Sequence, residues 1–169
     1  GHPPEAIPSL SWTGEKLYAN WLVNLFAGRL RTKTRQHIRA RMPAFPTRAI
    51  ELASGITAQH GFLPNEDSRP VFDKTKAAIG KRLAAMNSGM SCNRCHPIGS
   101  VQPLAPFDAR STNFNVVGKR LRYEYYQRWM LHPQRVDPNT KMLKFAPNGK
   151  QTSLTSILDG NADRQFEAL

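Results

Sequence analysis

Acidic residues are scarce in this chain: 12 Asp and Glu stand against 24 Lys and Arg, a formal net charge of +12. An excess of that size in 169 residues favours partners that carry negative charge. Cysteine is scarcer still. There are two, which excludes a disulfide-stapled scaffold. No apolar run approaches the roughly 18 residues that a membrane-spanning helix needs. The densest cluster, Trp21–Ala27, is short and interrupted by Asn24. The opening Gly-His-Pro-Pro-Glu lacks the basic and apolar segments of a signal peptide, which suits a mature or cut form as well as a cytoplasmic one. What is present is enough for a core: 40% hydrophobic residues support one ordinary domain or two small ones.

The two cysteines stand together as Cys92-Asn93-Arg94-Cys95-His96. This is the attachment sequence of a c-type haem: each thiol adds to one vinyl group, and the adjacent imidazole supplies the proximal iron ligand. A thioredoxin-like dithiol also uses Cys-X-X-Cys, but it needs a strand before it and a βαβ setting. Here Ile79, Leu83 and Met86 recur at helical spacing over Lys74–Ser88. A zinc site needs another ligand beside Cys92, Cys95 and His96, and no second Cys pair exists. One covalent haem c, with its iron, is the expected cofactor.

An electron-carrying haem has a second axial ligand, usually Met, which raises the potential, or His, which lowers it. Met142 is the first choice. It lies 46 residues beyond His96, within Thr140-Lys141-Met142-Leu143-Lys144-Phe145 and after the loop-like Pro138-Asn139-Thr140. The same thioether would also serve as a flexible core filler. His132 is a rival, since a bis-His haem would have a lower potential. Met130 sits in the run Tyr125, Tyr126, Trp129, Met130, which reads as a helix against the core or the haem edge. Tyr126 and Trp129 are therefore expected to line the cofactor. Met86 and Met90 lie too near Cys92 to reach the opposite face, and His2, His37 and His60 read as tail, surface or loop residues.

The chain divides at a polar, Pro-flanked connector, residues 64–70. Residues 71–169 read as a helical haem shell with candidate helices Lys74–Ser88, Lys119–His132, Ser153–Asp159 and Ala162–Leu169, and a long loop from Pro97 to Asn115 containing Pro103 and Pro106. Strand signals are weak, so the expected class is all-α. Residues 1–63 carry an apolar stripe at Leu17, Tyr18, Trp21, Leu22, Leu25 and Phe26, then a second helical run, Thr47–His60, with Leu52 and Ile56 on one face. The parts echo each other. Tyr18-Ala-Asn-Trp21 matches Tyr126-Gln-Arg-Trp129, and Arg41-Met42-Pro-Ala-Phe45 matches Lys141-Met142-Leu-Lys-Phe145. The Trp-to-Met spacing is 21 residues in one and 13 in the other, so the repeat is partial.

Ile79-Gly80-Lys81-Arg82-Leu83, the Cys92–His96 motif, Trp129 to Phe145 and Leu158 to Leu169 together resemble the class I c-type cytochrome family, in particular its planctomycete-type cytochrome domains. The resemblance implies a cytochrome c-like haem domain at 71–169, in which Lys74–Ser88 packs on the helix starting near Asp163 and a loop supplies the axial Met. It also implies that 1–63 is a partial or degenerate cytochrome c-like unit, the Met-bearing half without a Cys-X-X-Cys-His half. Three explanations of that half stay open: a piece of a longer diheme protein, a degenerate unit kept for packing, or Met42 folding back to the one haem. Leu143 stands where the family commonly has Pro, and Leu169 comes early for the terminal helix.

The resemblance further implies electron transfer by a low-spin haem rather than enzyme chemistry, and a periplasmic or otherwise extracytoplasmic location. The alternative is a haem enzyme or small-ligand sensor with a weak or open distal position. Arg29, Arg31, Lys33, Arg35, Arg39, Arg41 and Arg48 form a basic run without an acid among them. No nucleic-acid-binding module accompanies it, so the expected partner is an acidic redox protein, or the adjacent domain of a larger one.

Overall fold

The computed structural model describes residues 10–31, 34, 42–64, 69–104 and 111–169. His2, His37, Lys33, Arg35, Arg39, Arg41, Pro106 and residues 65–68 of the expected connector lie outside the described residues. Among the described residues the chain is all-α, with no strand beyond three isolated bridges. In order come α1 (Thr13–Lys16), α2 (Ala19–Phe26), α3 (Ala49–Gln59), α4 (Lys74–Ala84), α5 (Val117–Arg120), α6 (Tyr123–Leu131), α7 (Pro133–Val136) and α8 (Ala162–Ala168).

The apolar residues gather into two clusters. Leu17, Leu22, Phe26, Ala49 and Ala53 form the smaller, where α2 packs on α3. The buried stripe of α3 is Ala49, Ala53 and Thr57, spaced by one helical turn each. Of the pair read on one face, Ile56 packs against this cluster while Leu52, off the Ala49–Ala53–Thr57 line, is exposed. The larger cluster holds Leu83, Met90, Cys92, Met130, Ile157 and Phe166, with α4 and α6 both packed on α8. Gly80 makes the α4–α8 contact a backbone one: a Cβ there would overlap the Ala168 carbonyl oxygen.

Three expected helices end or break early, each for a tertiary reason. Asp73 caps α4 by accepting from the Thr75 and Lys76 amides at 2.8 and 3.1 Å. The helix stops at Ala84 rather than Ser88 because the chain turns back over its end. Met90 N–H donates to Leu83 O at 2.6 Å, and Ser91 N–H to Ala85 O at 3.1 Å. Gly89 permits this return, since a side chain would strike the Leu83 carbonyl.

The expected helix Lys119–His132 is two helices, α5 and α6, separated by extended Leu121. Leu121 forms an antiparallel bridge with Leu17, which separates α1 from α2 in the same way. The pairing is reciprocal: Tyr18 N–H donates to Arg120 O at 3.1 Å and Arg122 N–H to Lys16 O at 3.0 Å. This symmetry matches Leu17 with Leu121, and therefore Trp21 with Tyr125. The echo read from sequence, Trp21 with Trp129, is one helical turn out of this register.

Ser153–Asp159 is not a helix. Leu158 and Asp159 take left-handed backbone angles, φ 50° and 56°, and only a 3₁₀ turn, Leu158–Gly160, forms. Buried Gln165 on α8 organises the segment. Its amide nitrogen donates to Leu154 O at 2.8 Å and Ile157 O at 2.6 Å, and its oxygen accepts from the Thr152 hydroxyl at 2.6 Å. Leu154 O is thereby taken by a side chain, and Ile157 O is shared between that side chain and the Gly160 amide of the 3₁₀ turn at 3.2 Å.

Candidate cofactor site

Cys92 opens a 3₁₀ turn, Cys92–Arg94, that follows Ser91 at φ 59°. Cys95 and His96 both donate their amides to Cys92 O, at 3.1 and 2.9 Å. One carbonyl thus gathers the whole motif into a tight loop. Both thiols are free; Cys92 is buried and Cys95 half-buried. Burial pushes the Cys92 thiol up to about 11, so it stays protonated at neutral pH.

His96 is held by its Nδ1, which donates to Thr112 O at 2.8 Å. The carbonyl can only accept, so Nδ1 carries the proton and Nε2 keeps its lone pair. Burial lowers the imidazole pKa, the stronger effect, while the Thr112 bond works the other way. The ring rests on Phe114, centroids 4.8 Å apart. Asn113 braces this support: its Nδ2 donates to Gly99 O at 2.8 Å, and its oxygen accepts from the Gly99 and Asn115 amides at 3.2 and 2.9 Å.

Met142 lies after α7, and three side chains fix it. The Trp129 indole N–H donates to Met142 Sδ at 2.8 Å, Gln134 Nε2 donates to Met142 O at 2.5 Å, and the Thr140 hydroxyl accepts from Met142 N–H at 3.3 Å. Sulfur has a second lone pair, so this donor orients the thioether without consuming it. Tyr126 donates its hydroxyl to Phe166 O at 2.6 Å, joining α6 to α8, and burial raises its pKa well above the ordinary tyrosine range. Its ring, with Trp129, Met142, Phe114 and Phe145, packs against the cluster that contains Cys92.

The other sequence candidates have different places: two lie inside the same cluster and the rest lie outside it. Met130 is a buried core residue on α6, and Met90 belongs to the same cluster. The Nδ1 of His132 accepts from Arg135 N–H at 3.2 Å and caps α7. Met42 and Met86 are each 43% exposed, and Met42 belongs to neither apolar cluster. His60 closes α3.

Sequence reasoning missed Thr112, Asn113, Gln134 and Gln165. No local pattern marks them, because each acts on a residue brought near by the fold. A cavity of about 250 Å³ borders the motif, lined by Met90, Ser91, Phe145, Thr152 and Leu154 among others. Chemically, the site sets two thiols, a neutral imidazole and a thioether around one apolar cluster. Among the described residues, no three His, Cys, Asp or Glu side chains are grouped to hold a bare metal ion. No protein-family model matches the chain, and no curated protein or solved structure matches it.

Proposed function

We propose that this chain is a class I cytochrome c-like electron carrier, or a relay module of a larger redox protein, holding one covalent haem c. The observation that carries the reading is the donor set: free Cys92 and Cys95 on one turn, His96 with Nε2 available, and the oriented Met142 thioether bordering the same apolar cluster. Thiols, a neutral imidazole and a thioether are the donors a c-type haem uses. Cys92 and Cys95 would hold it through thioethers, His96 and Met142 would supply its iron ligands, and Tyr126 and Trp129 would pack beside it. When bound, haem c supplies an iron that changes by one electron between Fe(III) and Fe(II).

The protein's own contribution is positional. Thr112 keeps His96 in the tautomer that offers Nε2. Trp129 and Gln134 hold Met142 at its sulfur and its carbonyl, so the thioether does not swing away when the charge changes. The apolar cluster against which Cys92, Trp129 and Met142 pack would limit reorganisation as an electron passes. The location we infer is extracytoplasmic, and the partner an acidic redox protein or adjoining domain steered by the +12 charge. Among the described residues, no helix is long and apolar enough to cross a membrane.

A reduced-minus-oxidised optical spectrum with iron determined on the same sample tests the reading. A low-spin c-type spectrum with one iron per chain and a sulfur-to-iron charge-transfer band is expected. Met142→Ala abolishes that band; its persistence moves the ligand to Met42 or Met130. A high-spin spectrum that binds carbon monoxide readily replaces electron transfer with the enzyme or sensor alternative. Two irons per chain contradict the one-haem account.

A further inference from the structure

Trp129 does more than touch Met142. Its ring stacks on Tyr125, centroids 6.3 Å apart and planes within 19°. The Arg128 guanidinium lies 5.6 Å from the Tyr125 ring and 5.5 Å from the Trp12 ring. Arg128 also pairs with Glu15 of α1, which ties this contact across to α6. Lys16 places its ammonium 5.3 Å from Tyr125 and 5.9 Å from Trp129. Trp12, at the end of the column, is 45% exposed.

We propose that Trp129, Tyr125, Arg128 and Trp12 form an electronic route from the Met142 side of the cofactor site to the surface at Trp12, crossing from α6 to the first helical unit. The inference rests on the haem reading above. Tunnelling weakens steeply across gaps, and closely spaced π systems couple better than aliphatic packing over the same span. The electron balance is simple: the iron loses one electron in passing from Fe(II) to Fe(III), and an external one-electron acceptor gains it. No bond forms or breaks.

The rings bridge without being oxidised. Positive charge over a ring face is stabilising only while the ring stays electron-rich, so Lys16 and Arg128 raise the energy needed to remove an electron from Tyr125, Trp129 and Trp12.

The test uses the haem-loaded full chain carrying a photo-oxidant at a single introduced thiol. One position is Leu10→Cys, close in sequence to Trp12; the other is Leu104→Cys, whose backbone amide donates to Asn93 O within the haem motif. Both side chains are exposed. Trp12→Leu is expected to slow iron oxidation several-fold from position 10 and leave the rate from position 104 unchanged, while Trp12→Phe largely restores the first rate. An unchanged rate from position 10, or equal slowing from both positions, overturns the route. Absence of a c-type spectrum in the labelled protein instead overturns the electron-carrier reading, and the route falls with it.

Discussion

Leu17 and Leu121 pair as an antiparallel bridge between two short helix–extended–helix units, and each lends its neighbours one backbone hydrogen bond to the other side. Leu121 also packs on the smaller apolar cluster. Arg122, fully buried next to it, donates its Nε–H to Gly14 O at 3.2 Å and lays its guanidinium over Tyr18 and Phe62. The two clusters are therefore joined through backbone and a buried cation rather than through a loose linker.

That junction predicts one cooperative unfolding transition. Leu22 and Leu83 are fully buried, one in each cluster. Leu22→Ala and Leu83→Ala should each lower the same urea midpoint, at a cost of about 2–5 kcal/mol. Two separate transitions, with each variant moving only one, would show that the bridge does not couple the clusters.

The Trp129–Met142 bond predicts a redox effect. An N–H on sulfur draws electron density from the thioether, which would weaken its bond to the ferric iron of the proposed haem more than to the ferrous iron. Trp129→Phe keeps an aromatic ring but removes the donor. Its midpoint potential in a redox titration should be lower than that of the unaltered protein, with the spectrum still low-spin. An unaltered potential argues that the indole and the thioether part when haem is bound.

Tyr125 predicts an alkaline limb in the stability profile. Burial raises its pKa from 10.0 to about 12, outweighing the nearby Arg128 and Arg120 charges. The folded chain thus favours the protonated ring. Its contribution is whole below pH 10.0 and declines as pH rises toward about 12, where the folded form also ionises. Denaturation midpoints measured through this window should fall less steeply for Tyr125→Phe. Parallel slopes would remove Tyr125 as a source of the loss.

Gly80 predicts intolerance at the α4–α8 contact. A methyl group at residue 80 overlaps the Ala168 carbonyl, so Gly80→Ala must separate two helices that bracket the Cys92 cluster. The expected destabilisation is about 1–3 kcal/mol despite the better helix propensity of Ala. Thermal unfolding of both forms measures it. A stabilised variant would mean that the helices part freely.

Much of the local structure was legible because helical periodicity and capping are short-range signals. The apolar spacing in Leu22 and Phe26 and in Ile79 and Leu83 marks α2 and α4 from residues within a few positions. The Cys92–His96 motif is likewise local: its spacing raises the haem reading before any fold is known. What periodicity could not reveal was where helices yield to distant partners. Leu121 interrupts a continuous helical pattern because Tyr18 and Lys16 pair with the backbone of Arg120 and Arg122 on either side of it, and Gln165 takes Leu154 O, which a helix over 153–159 would have used.

The division is sharpest around the site. Sequence alone determined an all-α chain carrying paired thiols, an adjacent imidazole and a downstream methionine, since these depend on residue identity and near spacing. Only the tertiary structure decided that Thr112 sets the His96 tautomer, that Trp129 and Gln134 hold Met142, and that Trp12 meets Arg128. Each of these contacts joins segments whose separation along the chain is settled by packing, and directional hydrogen bonds and ring contacts form only once that packing has brought the partners within reach.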